Sequence, residues 1–572
     1  MLNPTQAITD ALVMVTQDDP IAPEKIQVQL AAHPEYGQFQ SNIALLLSKP
    51  CQDAPMRIAE RLQASLKDHM LFETVVVTKP GFLNFTLAKQ FLSEAMNTLA
   101  ADSRLGVPIN DEPRRVIVDY SSPNIAKNMH IGHLRSTIIG DAIVRLLTFC
   151  GDEVIRQNHI GDWGTQFGML IEHLMQLGLD PNDINLNDAY QTAKKRFDQE
   201  PDFAVAAKKR VVALQDHEPT TYALWQTLVR ISEKHFSEVY QQLGILLDEA
   251  DIRAESFYNP HLQPLVAKLE ADGIGVDDQG AKVIFLEAFK DRDGKCLPMI
   301  IQKTDGGFLY ATTDLAALDF RLNQLKANRV IYVVDARQAQ HLSMLFAAGE
   351  KIGWVNNQHQ LDQVLFGMVL GEDNKPFKTR EGNAVALSTL VDEAIERAYQ
   401  MLKARHPDWH EDQLMETAKA IAVGALKYVD LSNDRIKNYV FSFERMLALE
   451  GNTAPYLQNA YVRIQSILRK ADAQSIPIIP NSIAVETDIE VKLACHIALF
   501  PKEICTLRDQ LALHRLCHYL FRLAGLFHQF YEHHPILADT PMRASRLLLA
   551  TLTAKILAQG LTILGIEPIQ YM

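Results

Sequence analysis

Apolar runs and helical repeats alternate through the middle of the chain. Residues 115–120 hold the run Val116-Ile117-Val118, and Ser121-Ser122-Pro123-Asn124 breaks it. Leu134, Ile138, Ile139, Ala142, Leu146 and Leu147 then recur at the spacing of one helix face. Gly151 stands where a left-handed helix cap is expected, and residues 153–158 predict a second strand. Further buried strands are predicted over 329–334 and 364–369, with a helix between them ending near Gly353. Strands joined through helices predict an α/β domain built on a parallel sheet with both faces covered. A charged, mostly helical stretch at about 183–246 interrupts it, and the insertion as a whole spans about 183–300.

The pattern changes on either side. Residues 1–110 read as a small α/β unit, in which Thr74-Val75-Val76-Val77 precedes Lys79-Pro80-Gly81 and the alternating Phe82-Leu83-Asn84-Phe85. Asp111-Glu112-Pro113 links it to the sheet domain at 111–388. Connecting helices follow over 389–454, then an all-α bundle over 455–572. There Leu516, Leu520, Leu523, Phe527 and Tyr531 share one helical face, and Thr540-Pro541 supplies an N-cap and a first-turn proline for a last helix. The apolar stretch 547–566 contains Lys555 and Gln559, so it predicts a core helix rather than a membrane span.

Composition sets bounds without pointing to chemistry. A chain of 572 residues exceeds one core, and 47% hydrophobic with 22% charged residues is ordinary for a globular protein. The six cysteines form no C-x-x-C pair, which argues against a zinc ribbon or a redox motif and for reduced thiols. The first residues lack a basic segment followed by a long apolar run, so a cytoplasmic location is expected. A net charge of −13 does not favour a nucleic-acid partner, but it is unevenly spread. Residues 455–572 carry 11 Lys and Arg against 9 Asp and Glu, with six histidines, which permits RNA docking there without requiring it.

The chemistry concentrates in Asn124-Ile125-Ala126-Lys127-Asn128-Met129-His130-Ile131-Gly132-His133. This segment lies between a strand and the first turn of a helix, where free backbone N–H groups favour a phosphate. His130 and His133 are three residues apart and can face one bound group, and their N–H donors suit charge developing on a transferring phosphate. Gly132 leaves room for close approach to the backbone. Taken alone, a His-x-x-His pair is more often two surface histidines at a helix end. Zinc pairs in helices are usually four apart and need a third ligand, so no metal site is expected.

The order strand, turn, Asn, Lys, His-Ile-Gly-His, helix resembles the class I aminoacyl-tRNA synthetases. The surroundings resemble the arginyl-tRNA synthetase family in particular: Val118-Asp119-Tyr120-Ser121-Ser122-Pro123-Asn124, Gly161-Asp162-Trp163-Gly164-Thr165-Gln166, Asp305-Gly306-Gly307-Phe308-Leu309-Tyr310 with Asp314, and Glu450-Gly451-Asn452-Thr453-Ala454-Pro455-Tyr456. The resemblance runs from the Gly37-Gln38-Phe39-Gln40-Ser41-Asn42 turn to the last helix. It implies a Rossmann-like catalytic domain that activates L-arginine with ATP and Mg2+ and transfers it to tRNA(Arg), with no protein-bound zinc and no editing domain. It implies His130, Gly132, His133, Lys127 and Lys378 at ATP, with Arg380 sharing the catalytic work. Asp119, Tyr310 and Asp314 are implied around the guanidinium, whose parallel N–H donors suit carboxylates. Ser121, Asn124 and Gln338 are implied at the amino and carboxylate end, and His159 and Asp162 are candidates for the rim. The family's lysine-rich second signature is replaced here by Lys375-Pro376-Phe377-Lys378-Thr379-Arg380-Glu381-Gly382, with Thr379 in the place of its second lysine, a loss for which Lys127 is implied to compensate. The resemblance also implies tRNA contacts for residues 1–110, an anticodon-binding role for 455–572, a monomer, and a need for tRNA before activation.

Two other readings remain. One is a class I synthetase for another amino acid, such as cysteine or glutamine, against which Asp119 and Asp314 argue. The other is a non-enzymatic tRNA-binding relative, against which the intact His130, Gly132 and His133 argue. Asp314 alone also reads as a carboxylate stabilised at a helix N-terminus after Thr312-Thr313.

Overall fold

The computed structural model describes residues 3–572 apart from 32, 126, 292 and 378–384. The chain forms two compact units, one of residues 110–447 with 563–566, the other of 1–109 with 448–562 and 567–572.

The larger unit begins with β1 (Arg115–Asp119), whose Val116, Ile117 and Val118 are all buried, followed by α1 (Ile131–Phe149) and β2 (Glu153–Gln157). Then come α2 (Thr165–Leu177), α3 (Leu186–Gln199), α4 (Pro201–Gln215), α5 (Pro219–Leu243) and α6 (Glu255–Ala271). A small antiparallel sheet of β3 (Val276–Asp278), β4 (Ala281–Lys290) and β5 (Cys296–Gln302) leads to α7 (Tyr310–Asp319). The remainder is β6 (Arg329–Asp335), α8 (Ala339–Ile352), β7 (Gln360–Phe366), β8 (Val369–Leu370), α9 (Leu387–Arg405), α10 (Glu411–Leu431) and β9 (Tyr439–Val440). The main sheet has the order β7-β6-β1-β2, every pair parallel.

That order decides where a ligand can sit. The chain runs outward from β1 to β2 through α1, and outward the other way from β6 to β7 through α8. Between β1 and β6 the crossovers diverge, and the carboxyl ends of these two strands open a crevice. In register there stand Asp119, Tyr332 and Gln157, on β1, β6 and β2.

Close packing holds α1 against the sheet. A side chain at Gly140 would collide with the ring of Tyr120, so only glycine lets the helix approach. Ser136 Oγ donates to the Val333 carbonyl at 2.7 Å and accepts from Ser121 N at 3.0 Å. Arg135, 1% exposed, meets Asp430 of α10 at 3.1 Å, donates to the Lys437 carbonyl, and lies over the Tyr439 ring. Tyr439 OH donates to the same carboxylate. α1 is thereby tied to the β8–β9 pair that carries the lysine-containing loop.

The strand expected over 364–369 is two elements: β7 begins four residues earlier at Gln360, and β8 is a separate short strand. β7 is a sheet edge, so Gln360, Asp362 and Gln363 are tolerated and dilute its apolar signal.

In the smaller unit the four-stranded sheet has, in spatial order, Val28–Leu30, Phe39–Ser41, Phe82–Leu87 and Phe72–Thr78, all antiparallel. The bundle helices include Ala454–Ala473, Asp488–Ile497, Phe500–Gln510, His514–His533 and Arg543–Ile563. Leu516, Leu520, Leu523 and Phe527 are fully buried, whereas Tyr531 is exposed. The last helix starts at Arg543, after the Thr540-Pro541 pair, and its apolar length is mostly buried inside the protein. Residues 1–109 and the bundle share this unit through backbone-directed bonds. Asn97 both donates to and accepts from Ile483, Ser93 Oγ accepts from Val485 N, and Lys89 Nζ donates to the Glu486 carbonyl.

Candidate active site

The turn after β1 is under strain that its surroundings hold in place. Ser121 and Ser122 have φ of 72° and 46°, a region that costs residues with a side chain of order 1–3 kcal/mol. Ser122 N donates to Asn158 Oδ1 at 3.0 Å. Ser121 Oγ is buried, within 2.7 Å of Tyr240 OH and 2.9 Å of Thr137 Oγ1. Its hydroxyl thus braces the turn from below. Asn124 bridges to Gly161, where any side chain would fall on its amide oxygen, and the Asn124 side chain stays exposed.

His130 is the N-cap of α1. Its Nδ1 accepts from Gly132 N at 3.0 Å, and His133 Nδ1 accepts from His130 N at 3.2 Å. An imidazole whose Nδ1 accepts carries its proton on Nε2 when neutral. Burial, then the charge of Lys127, lowers the His130 pKa. Burial, then His130 and Lys127, takes that of His133 down to about 3. Both rings are therefore neutral Nε2–H donors at pH 7. They lie 4.1 Å apart, centroid to centroid. The close approach that Gly132 permits is by His130 itself: an added Cβ would stand 2.7 Å from the His130 ring. Lys127 Nζ rests 4.7 Å above the Tyr190 ring of α3.

The loop following β8 is anchored at both ends. Gly371 N donates to the Lys375 carbonyl, Leu370 bridges to Pro376, and Phe377 packs edge-on against Phe441. At the far end Ile131 N donates to the Val385 carbonyl and Leu387 N to the Met129 carbonyl, so the loop returns onto the His-Ile-Gly-His segment itself. Lys378 and Arg380 lie outside the described residues.

Carboxylates gather at the crevice. Asp119 Oδ2 accepts from Arg321 at 2.7 Å, and Arg321, 1% exposed, also donates to Gln157 Oε1 at 2.6 Å and lies over the Tyr332 ring. Arg321 sits in the π-helical turn Phe320–Gln324 that continues α7. Asp314, one turn into α7, meets His341 Nε2 of α8 at 2.5 Å. Tyr310 opens α7 and is 71% exposed, and Gln338 is exposed where α8 begins.

Glu255, absent from the sequence reading, starts α6 among these groups. Burial, then Asp162, then Asp314 push its pKa up to about 8. Its carboxylate also reaches the Gly161 position, 3.8 Å from where a Cβ would stand. The signal for it was faint: a single Glu before an apolar repeat reads as first-turn dipole chemistry.

The two rim candidates divide. Asp162 is buried and accepts from Ser256 N at 2.9 Å and Ser256 Oγ at 2.5 Å, while its carbonyl accepts from Trp225 Nε1. It therefore clamps the start of α6 and presents Glu255. His159 stacks on Tyr258, with a buried Nδ1 lacking a hydrogen-bond partner among the described residues. No group of three metal-ligating side chains occurs among the described residues.

The family described as "tRNA synthetases class I (R), catalytic domain" matches residues 94–443. "Arginyl tRNA synthetase N terminal domain" matches 4–87, and "DALR anticodon binding domain" matches 457–572. The chain is 46% identical over 575 residues to an arginine–tRNA ligase of Azotobacter vinelandii, covering 99% of both chains. It is 46% identical over 554 residues to one of Synechococcus elongatus, covering 95% and 94%. The arginyl-tRNA synthetase structure from Plasmodium falciparum superposes with a TM-score of 0.86 at 31% identity, over 100% of this chain and 99% of that one. The Thermus thermophilus arginyl-tRNA synthetase shares the fold, with a TM-score of 0.80 at 24% identity and 100% of each chain covered.

Proposed function

The chain belongs to the arginyl-tRNA synthetase family, and from that premise we propose how its own residues carry out the reaction. The family reaction joins arginine to tRNA(Arg) at the expense of ATP. In the first step an arginine carboxylate oxygen attacks the α-phosphorus, and the bond to pyrophosphate breaks. In the second, the terminal ribose 2′-hydroxyl of tRNA attacks the adenylate carbonyl and AMP leaves.

His130 and His133 donate Nε2–H to oxygens of the transferring phosphate, where fixed neutral donors need no reorganisation. Lys127 leaves the Tyr190 ring for the phosphates, and Lys378 and Arg380 supply cations from the loop. ATP would bring Mg2+ on its phosphates, where the ion would help neutralise the charge that develops during transfer. The guanidinium is taken by Asp314, Glu255, Tyr310 and the remaining oxygen of Asp119. Asn124 and Gln338 serve the amino and carboxylate groups, with Ser121 bracing the turn beneath them. Residues 1–110 and 455–572 contact tRNA, arginine activation waits on that tRNA, and the enzyme works as a cytoplasmic monomer.

One observation carries this reading. Asp119, Asp314 and Glu255 gather at the sheet crevice, with Arg321 bonded to the first of them. Carboxyl groups placed together in this way suit a substrate bearing a fixed positive charge. ATP–pyrophosphate exchange with each amino acid, with and without tRNA, is the test. Arginine alone, dependent on tRNA, is expected. Exchange with another amino acid would refute the pocket, and none under any condition would support the non-enzymatic relative.

A further inference from the structure

The two aspartates of the crevice each meet a protein cation, but the cations differ in kind. Arg321 is buried, donates to both Asp119 and Gln157, and cannot shed its charge. His341 is a titratable partner, with 40% of its side chain exposed and Nε2 2.5 Å from Asp314 Oδ2. The acidic group it faces is Asp314 on α7, which in turn interacts with Glu255 at the head of α6. The hydrogen bond to Asp314 raises the His341 pKa, ahead of burial, which acts the other way.

We propose that His341 is a positioning residue and a replaceable counter-cation for Asp314, charged while the pocket is empty and neutral once a guanidinium reaches that carboxylate. The proposal rests on the reading of Asp314 as a guanidinium acceptor. Two cations beside one carboxylate repel, and only the imidazolium can give way, because a guanidinium does not deprotonate. The proton lost is the one on Nδ1, and it goes to solvent. Nε2–H remains and keeps donating to Oδ2, so the neutral ring still aims Asp314. No other bond changes.

The arrangement favours a permanent cation over a neutral isostere. A side chain of the same shape without charge cannot expel the proton, and leaves Asp314 in its ion pair. Arginine binding should release a proton and weaken as pH falls below the His341 pKa, by at most about tenfold per pH unit for one proton. Glu255 must be separated from this effect, because its own proton would leave in the same direction.

Calorimetry of L-arginine binding to the full chain near pH 7, in buffers of different ionisation enthalpy, counts the protons released. The unsubstituted chain should release protons with L-arginine and none with L-citrulline; no release with arginine overturns the proposal without any variant. In His341→Gln, whose amide can still donate to Asp314, the count should fall and the rise in arginine KM between pH 8 and pH 6 should shrink several-fold. Glu255→Gln should retain the His341 share. Release that persists in His341→Gln and vanishes in Glu255→Gln assigns the proton to Glu255 and overturns the proposal. Unchanged arginine affinity in Asp314→Asn would instead refute the pocket reading beneath it.

Discussion

Replacing Gly132 by alanine should remove activity while leaving the fold as stable as before, or more so. An alanine Cβ would stand 2.7 Å from His130 Cε1 and 2.8 Å from Nδ1. Comfortable carbon contacts begin near 3.5 Å, so the ring must swing by most of an ångström. In doing so it gives up the 3.0 Å bond from Gly132 N, which fixes its tautomer and the direction of its Nε2–H. Losing one preorganised donor to a transition-state oxygen typically costs about 2.7–4 kcal/mol, or 10²–10³ in kcat. Alanine within a helix is favoured over glycine by up to ~1 kcal/mol, so the melting temperature should hold or rise. ATP–pyrophosphate exchange with arginine and tRNA reads the first effect and thermal unfolding the second. Exchange within about fivefold of the parent would refute the role given to this glycine. A fall in melting temperature matching the lost activity would instead mean that the turn itself had collapsed.

Three further outcomes are expected. Glu255→Gln removes a carboxyl whose ionisation burial and its acidic neighbours oppose, so stability should rise while the arginine KM increases by about 10–100-fold, the value of a charge-assisted hydrogen bond. Asp430→Ala strands the buried Arg135 and should cost about 3–5 kcal/mol in urea unfolding, whereas replacing both partners by apolar residues should cost much less. His133 binds its proton only near pH 3 when folded but near 6.5 when unfolded, so the unfolded state holds more protons between those values and stability falls as pH falls through them. Relative to His133→Asn, the parent should lose about 3 kcal/mol by pH 4, measured as urea midpoints from pH 7 to 4.

What was readable in the chain depended on whether the signal was local. β1, β6 and α1 were legible because buried parallel strands and the helix between them repeat apolar residues over a short window. The edge strand β7 was only half legible, since the polar Gln360, Asp362 and Gln363 look like a loop, although Asp362 in fact accepts from the buried Arg329. His130, Gly132 and His133 announced themselves as a contiguous motif. Arg321, Glu255 and His341 did not: each acts on a carboxylate far from it in sequence, and each alone is an ordinary helix residue. The sharing of one compact unit by residues 1–109 and the helical bundle was also hidden, because Asn97, Ser93 and Lys89 bind backbone atoms, which leave no residue-type signature.

Lys427 shows how far the two units are bound to one inheritance. Its buried ammonium, with a pKa lowered by burial to about 8, donates to the Gly565 carbonyl at 2.7 Å. Gly565 belongs to the short stretch 563–566, which is part of the larger unit although the residues before and after it belong to the smaller. The chain therefore crosses between units at 109/110, 447/448, 562/563 and 566/567. No single cut in the gene can separate them. A fragment ending at residue 447 would take the Gly565 carbonyl from the Lys427 amine and leave it the longer bond to the Gly244 carbonyl at 3.4 Å, so dissecting the two units of this protein calls for substitutions rather than deletions.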